Sequence, residues 1–197
     1  MTYGWPSRRA PQGGTLTRLA PIALLFALLA PAQARTLAGV ELPDTVVVDG
    51  ATLRLNGMGL RAATALRVKA YVGGLYLEQP SSDAATVIDS HQRKRVTMKF
   101  LRSIGRQRLT AGWAQSLRKV GGKTTEHSIA EFTSLIPDVK TGDTMSFTLR
   151  PGVGLEVAMD EKVRGVVPGD DFARALFTVW FGPEPGDENL KRGMLGQ

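Results

Sequence analysis

The sequence predicts an α+β domain in which helices pack on one face of a largely antiparallel sheet. Strand-like segments fall into two groups, each followed by helical patterns, which differs from the regular strand–helix alternation of a doubly wound parallel sheet. Two strands of the second group, within 143–150 and 154–159, are joined at Pro151-Gly152 as a hairpin. The chain has no cysteine, so its core rather than disulfides must hold the fold together.

The first strands form a run of extended segments. Residues 36–48 look extended and end in three consecutive valines. Asp49-Gly50 is a turn dipeptide, and the alternating leucines after it indicate a second strand. A longer extended segment covers 65–77, and one of its faces, which includes Lys69 and Tyr71, begins polar and ends apolar. We therefore expect this strand to leave solvent partway along its length.

Helical patterns and further strands follow in turn. A helix over 170–181 has the clearest apolar face, and we expect Asp170 to cap its start and Gly182 to end it. The other predicted elements are a short helix within 80–91 capped by Ser82 or Asp83, a strand over 95–101, a helix defined by Leu109, Trp113, Leu117 and Val120, a helical pattern through 129–136, a strand over 162–167 and a last short helix over 187–196.

The first 34 residues look like a secretory signal peptide. Three arginines precede an apolar run, Leu19 to Ala30, which is shorter than a membrane-spanning helix. Small residues at 32–34 suit a signal peptidase. We expect cleavage after Ala34, export to a bacterial periplasm, and a single mature domain over 35–197 without a stable membrane span. A retained N-terminal membrane anchor is the alternative.

Charge and composition exclude several classes of function. The whole chain carries +7, and removal of the three leader arginines leaves 22 − 18 = +4, with 91–95 as the only dense basic cluster. Nucleic-acid binding needs a broader basic face with aromatic residues, so we do not expect it. Neither His91 nor His127 has a partner at metal-ligand spacing, and no nucleophile motif is present. We predict no metal and no cofactor.

Two separated motifs resemble the chalcone isomerase family. "GMGLR … VKAYVGGLYLE", within residues 57–78, is similar to the family's Gly-x-Gly-x-Arg strand and the lysine-containing strand after it. The segment 152–196 is similar to the exported bacterial branch, with a "DFA" helix, a "W-x-G-x-x-P" stop and an "L-x-x-G-x-L-G" end. The resemblance covers about residues 36–196. It implies an open-faced β-sandwich, in which a long antiparallel sheet is covered by helices and a ligand cleft lies between them.

The resemblance also separates two kinds of family member. Arg61 falls on the family arginine, and Tyr71 stands where the plant isomerases have threonine, as in the fatty-acid-binding members. Arg108 and Gln115 occupy the positions of the plant tyrosine and asparagine, and Ala173 lies near a polar specificity position. Much of the plant catalytic set is therefore missing, and no catalytic residue is assigned.

The resemblance thus implies a non-catalytic binder of a fatty acid or similar amphipathic carboxylate, held by Arg61 and Tyr71. An isomerase or intramolecular lyase acting on an enone-like or phenolic substrate is the alternative, so whether the protein is an enzyme stays open. A third possibility is an interaction protein with a vestigial cleft. The oligomeric state is not predicted.

The chemistry of the two side chains agrees with an anion site. The planar guanidinium of Arg61 offers a fork of donors that fits a carboxylate, and Tyr71 can add a hydroxyl donor while its ring packs on an apolar tail. An exposed arginine on an edge strand and a tyrosine that only packs at a rim are the alternatives. Gly57 and Gly59 suggest a close approach of the backbone to another strand or to a ligand.

Overall fold

The computed structural model describes residues 1–4, 34–63, 68–122 and 124–197. The chain divides into two units, and the second, Ala32–Gln197, holds all the described helices and strands. Almost all of the predicted signal peptide lies outside the described residues, so its cleavage stays a prediction. Within the described ranges, no helix is long and apolar enough to span a membrane.

Nine strands and five helices are described in these ranges. The strands are β1 (Ala34–Leu37), β2 (Val40–Pro43), β3 (Thr45–Val48), β4 (Ala51–Ala63), β5 (Val68–Leu77), β6 (Lys94–Phe100), β7 (Thr144–Arg150), β8 (Gly154–Met159) and β9 (Lys162–Pro168). The helices are α1 (Ala84–Asp89), α2 (Arg106–Val120), α3 (Glu126–Ser134), α4 (Asp170–Phe181) and α5 (Glu188–Met194).

The architecture confirms the predicted α+β fold. β3 to β9 form a seven-stranded sheet in sequence order, and every neighbouring pair is antiparallel. One face of this sheet packs against the helices through the larger apolar core, which includes Val96, Met98, Phe147 and Trp180. The β1–β2 hairpin contributes Val40 and Leu42 to a second, smaller core that includes residues of β3, β4 and β5. The sheet and the helices, the two layers between which a ligand cleft is expected, are therefore both present.

Helix starts are predicted with mixed success. Asp83 caps α1, as expected, by accepting a hydrogen bond from the backbone N–H of Thr86 at 2.7 Å. The expectation that Asp170 caps α4 is wrong, because Gly169 is the capping residue and Asp170 already lies in the first turn. The Asp170 carboxylate instead accepts the backbone N–H of Gly152 in the β7–β8 turn. The prediction failed because the backbone N–H of a nearby turn, rather than one of the helix, binds this carboxylate.

Gly57 and Gly59 bring β4 into backbone contact with α5. A Cβ at Gly59 would lie 2.8 Å from the Cα of Leu190, and a Cβ at Gly57 would lie 2.7 Å from the backbone nitrogen of Gly196. No side chain fits at either position, so the two glycines allow the last helix to lie directly on the strand. This contact fixes where the start of α5 meets the far end of β4.

Candidate ligand-binding site

Arg61 and Tyr71 are cross-strand partners in the sheet. They face each other in the β4–β5 register, and Tyr71 in turn faces Phe100 on β6, with the two ring centroids 5.9 Å apart. Directly opposed residues of antiparallel strands lie on the same face, and this is the face covered by helices. The structure therefore brings together the two residues that the sequence singled out.

A cavity of about 240 Å³ opens beside this pair, between the sheet, α2, α4 and the segment before α5. Much of its wall is apolar and comes from residues of β6, the two long helices and α5. These apolar residues include Met98, Leu109, Trp113, Val179, Trp180 and Leu190. Trp113 and Trp180 are buried and in edge contact with ring centroids 5.1 Å apart. They are core residues that also line the cavity.

Arg61 is not a free cation. Its Nη1 donates a hydrogen bond to the carbonyl of Gly186 and lies 3.7 Å from Oδ2 of Asp187. Its side chain is 30% exposed and that of Asp187 only 12%, so the pair sits at the inner side of the cavity mouth. Asp187 is also the N-cap of α5 and accepts the backbone N–H of Ala62. The carboxylate thus joins the start of α5 to the end of β4 beside the arginine.

The hydroxyl of Tyr71 is available as a hydrogen-bond donor. Its oxygen accepts the indole N–H of Trp180 at 3.3 Å, and its own hydrogen has no acceptor among the residues that the structure describes. Burial raises the pKa of Tyr71, although the Trp180 hydrogen bond and the positive charge of Arg61 oppose the rise. The phenol therefore keeps its proton at neutral pH and can donate to an anion in the cavity.

Arg108 lines the same cavity from α2 and is exposed. In the described part of the chain, its side chain has no hydrogen-bond or ion-pair partner. The sequence identified Arg108 only as a departure from the plant pattern, because helical periodicity does not show which surface arginine borders a cavity. Lys69, which shares a strand with Tyr71, is exposed and is not part of the wall.

A second cavity of about 380 Å³ adjoins the first between α2 and the end of α4. The two share Ser116, Val179, Pro185 and Gly186 in their walls, so they are neighbours along the groove between the helices. An ion pair between Lys119 and Glu184, 2.7 Å apart, lies among the residues of the second cavity.

The remaining positions taken from the plant pattern do not join the first cavity. Gln115 lines the second cavity, and Ala173 lies on α4 with its side chain fully buried in the larger core. Asp187 is the residue of the candidate site that the sequence did not indicate. Its signal was local, an aspartate before a short helix, but its proximity to Arg61 depends on contacts between residues more than a hundred positions apart.

Comparisons with known proteins place the fold. A chalcone isomerase-like family model matches residues 34–196. The crystal structure of a fatty-acid binding protein of Arabidopsis thaliana is similar with a TM-score of 0.65 and 19% identity, over 83% of this chain and 96% of that one. In sequence, the curated form of this plant protein, Fatty-acid-binding protein 1, is 30% identical over 82 residues, which are 40% of this chain. The match spans only 29% of the length of that relative. Since the family model covers nearly all of the described unit, the chain belongs to the chalcone isomerase-like family.

Proposed function

We propose that the protein binds a fatty acid or similar amphipathic carboxylate without transforming it. The observation that carries the proposal is the free hydroxyl donor of Tyr71 beside Arg61, at the polar end of a mostly apolar cavity. A carboxylate needs donors and positive charge, and its tail needs apolar wall. The similar plant protein, matched both in sequence and in structure, is named for fatty-acid binding, which supports the same ligand class.

The ion pair of Arg61 with Asp187 is compatible with this role. A guanidinium has five N–H donors, and the contacts with Gly186 and Asp187 both involve Nη1. The remaining donors can reach a ligand. Asp187 reduces the net attraction, so Arg61 acts mainly as a directional donor and Tyr71 shares the carboxylate.

The shape of the groove suggests the path of the tail. The first cavity, about 240 Å³, is slightly smaller than the usual range of roughly 300–1,000 Å³ for ligand pockets. The adjoining cavity of about 380 Å³ offers further length between α2 and α4. We therefore place the carboxylate at Tyr71 and the tail along the shared wall at Val179.

Two alternative roles have less support. Catalysis would need a group that exchanges protons near neutral pH, and the raised pKa of Tyr71 makes the phenol a poor one. An interaction protein with a vestigial cleft would pair Arg61 internally, as observed, but it would also fill the cleft with side chains. The open space beside Tyr71 favours a ligand.

We further propose that the protein is exported and works in a bacterial periplasm, as a member of the exported branch of its family. The leader-like composition of the first 34 residues supports this. Mass spectrometry of the protein recovered from a periplasmic extract would test it. A protein found only in the cytoplasm, with residues 1–34 intact, would contradict the proposal.

Calorimetric titration of delipidated protein with decanoate, and with decan-1-ol as the matched neutral ligand, tests the proposed function. We expect saturable decanoate binding at one site and weaker binding of the alcohol, because the alcohol lacks a charge for the arginines. Equal affinities would contradict a carboxylate site. Absence of decanoate binding, and of any lipid in gently purified protein, would contradict the proposal as a whole.

A further inference from the structure

We propose that Arg108, at the rim of the cavity on α2, is a second contact for the ligand carboxylate and supplies the net positive charge of the site. This inference rests on the proposed function, since it concerns the same ligand. It adds a residue that the sequence treated only as a departure from the plant enzymes.

The charges in the cavity wall carry the first step. Among the residues that the structure describes, three charged side chains line the cavity: Arg61, Asp187 and Arg108. Arg61 and Asp187 lie 3.7 Å apart, so their opposite charges largely cancel for a ligand that lies close to both. Without Arg108, the described part of the wall would have no net charge. Of these three side chains, Arg108 therefore supplies the attraction that an anionic ligand meets at the mouth.

The second step is that Arg108 is free while two other arginines of its helix are engaged. Arg106 donates to the carbonyl of Ile136 at 2.8 Å, and Arg118 makes two hydrogen bonds of 2.7 Å to Glu126. Arg108 has no such partner in the described residues, although it borders a cavity that also holds the free hydroxyl donor of Tyr71.

The third step concerns geometry and exposure. A carboxylate has two oxygens and can accept from donors on two sides. Tyr71 lies on the sheet floor and Arg108 on the helix that covers it, so together they can hold a carboxylate between the two layers. Because Arg108 is exposed, its contribution should be screened by salt and should act on association as well as on affinity.

The test compares Arg108→Gln with Arg54→Gln, which removes an equal charge from an exposed position of β4 outside the cavity. Each is titrated with decanoate and decan-1-ol at low and high salt. We expect Arg108→Gln to weaken decanoate binding by about tenfold, which lies between the effect of losing an exposed ion pair and that of losing a well-formed charged hydrogen bond. Decan-1-ol binding should hardly change, and the salt dependence of decanoate binding should decrease.

Further variants separate charge from structure. Arg108→Lys keeps the charge and should retain the salt dependence and much of the affinity, and thermal unfolding of all three variants should match the unmodified protein. If the unmodified protein binds decanoate and Arg108→Gln behaves like Arg54→Gln, the inference is wrong while the proposed function stands. If Arg108→Gln weakens decan-1-ol binding as much as decanoate binding, the effect comes from packing and the inference is wrong. If the unmodified protein binds no decanoate, both proposals fall.

Discussion

Replacing Tyr71 with phenylalanine removes one oxygen and leaves the ring contact with Phe100 in place. The lost hydroxyl is the donor for the ligand carboxylate and the acceptor for the Trp180 indole N–H. A hydrogen bond to a charged group contributes roughly 1.5–3 kcal/mol, so decanoate affinity should fall by about 10- to 150-fold. Without ligand, loss of the weaker bond at 3.3 Å should reduce the free energy of unfolding by about 1 kcal/mol or less.

Calorimetric titration with decanoate measures the first effect and urea denaturation the second. Tyr76→Phe is the matched control, because that hydroxyl donates to the carbonyl of Pro43 in the smaller core and is not part of the cavity wall. The control should lose stability and keep its affinity for decanoate. Tyr71 is not a ligand contact if Tyr71→Phe binds decanoate as tightly as the unmodified protein, or if Tyr76→Phe weakens binding equally.

Three further changes probe the surroundings of the site. Asp187→Asn keeps an N-cap for α5 but removes the negative charge beside Arg61. Calorimetry should therefore show that decanoate binds a few-fold more tightly, and weaker binding would contradict the role given to the ion pair. Gly59→Ala should lower the free energy of unfolding by about 1–3 kcal/mol, because its Cβ would meet the backbone of α5. Gly112→Ala, in a helix where the new Cβ has open space, should raise it by at most about 1 kcal/mol. Urea denaturation measures both, and equal effects would contradict close packing at Gly59. Burial lowers the pKa of Lys94 to about 8, so between about pH 8 and pH 10 this side chain binds more protons in the unfolded chain than in the folded one. Lys94 should therefore contribute a rise in stability with pH of up to about 1.4 kcal/mol per unit, while the raised pKa values of Tyr71 and Tyr76 act in the opposite direction as pH approaches 10. The difference in stability between the unmodified protein and Lys94→Met isolates the lysine, and parallel stability curves would contradict its contribution.

The strands and helices could be predicted from the sequence because their apolar periods are strong. The β7–β8 hairpin and the α4 face follow directly from alternating and helical patterns. The α4 cap could not be predicted, since the choice between a helix end and a turn depends on which N–H lies near Asp170. Local sequence patterns therefore identified the helices and strands, but not the hydrogen-bond partners of the polar residues at their ends.

The site was predictable only in part. Arg61 and Tyr71 were paired through family resemblance, and the observed register also depends on two irregularities in β4–β5 pairing that alternation does not reveal. The proximity of Asp187 to Arg61 arises when α5 packs on Gly59. Arg108 looked like an ordinary surface arginine because only the packed α2 shows that it borders the cavity.

A crystal structure of the protein with bound decanoate is the most direct test of the central claim. We expect the carboxylate within about 3 Å of the Tyr71 hydroxyl oxygen, with the Arg108 guanidinium turned towards it and the tail between α2 and α4. A ligand bound elsewhere, or one lying in the cavity with its carboxylate away from Tyr71, would contradict the account.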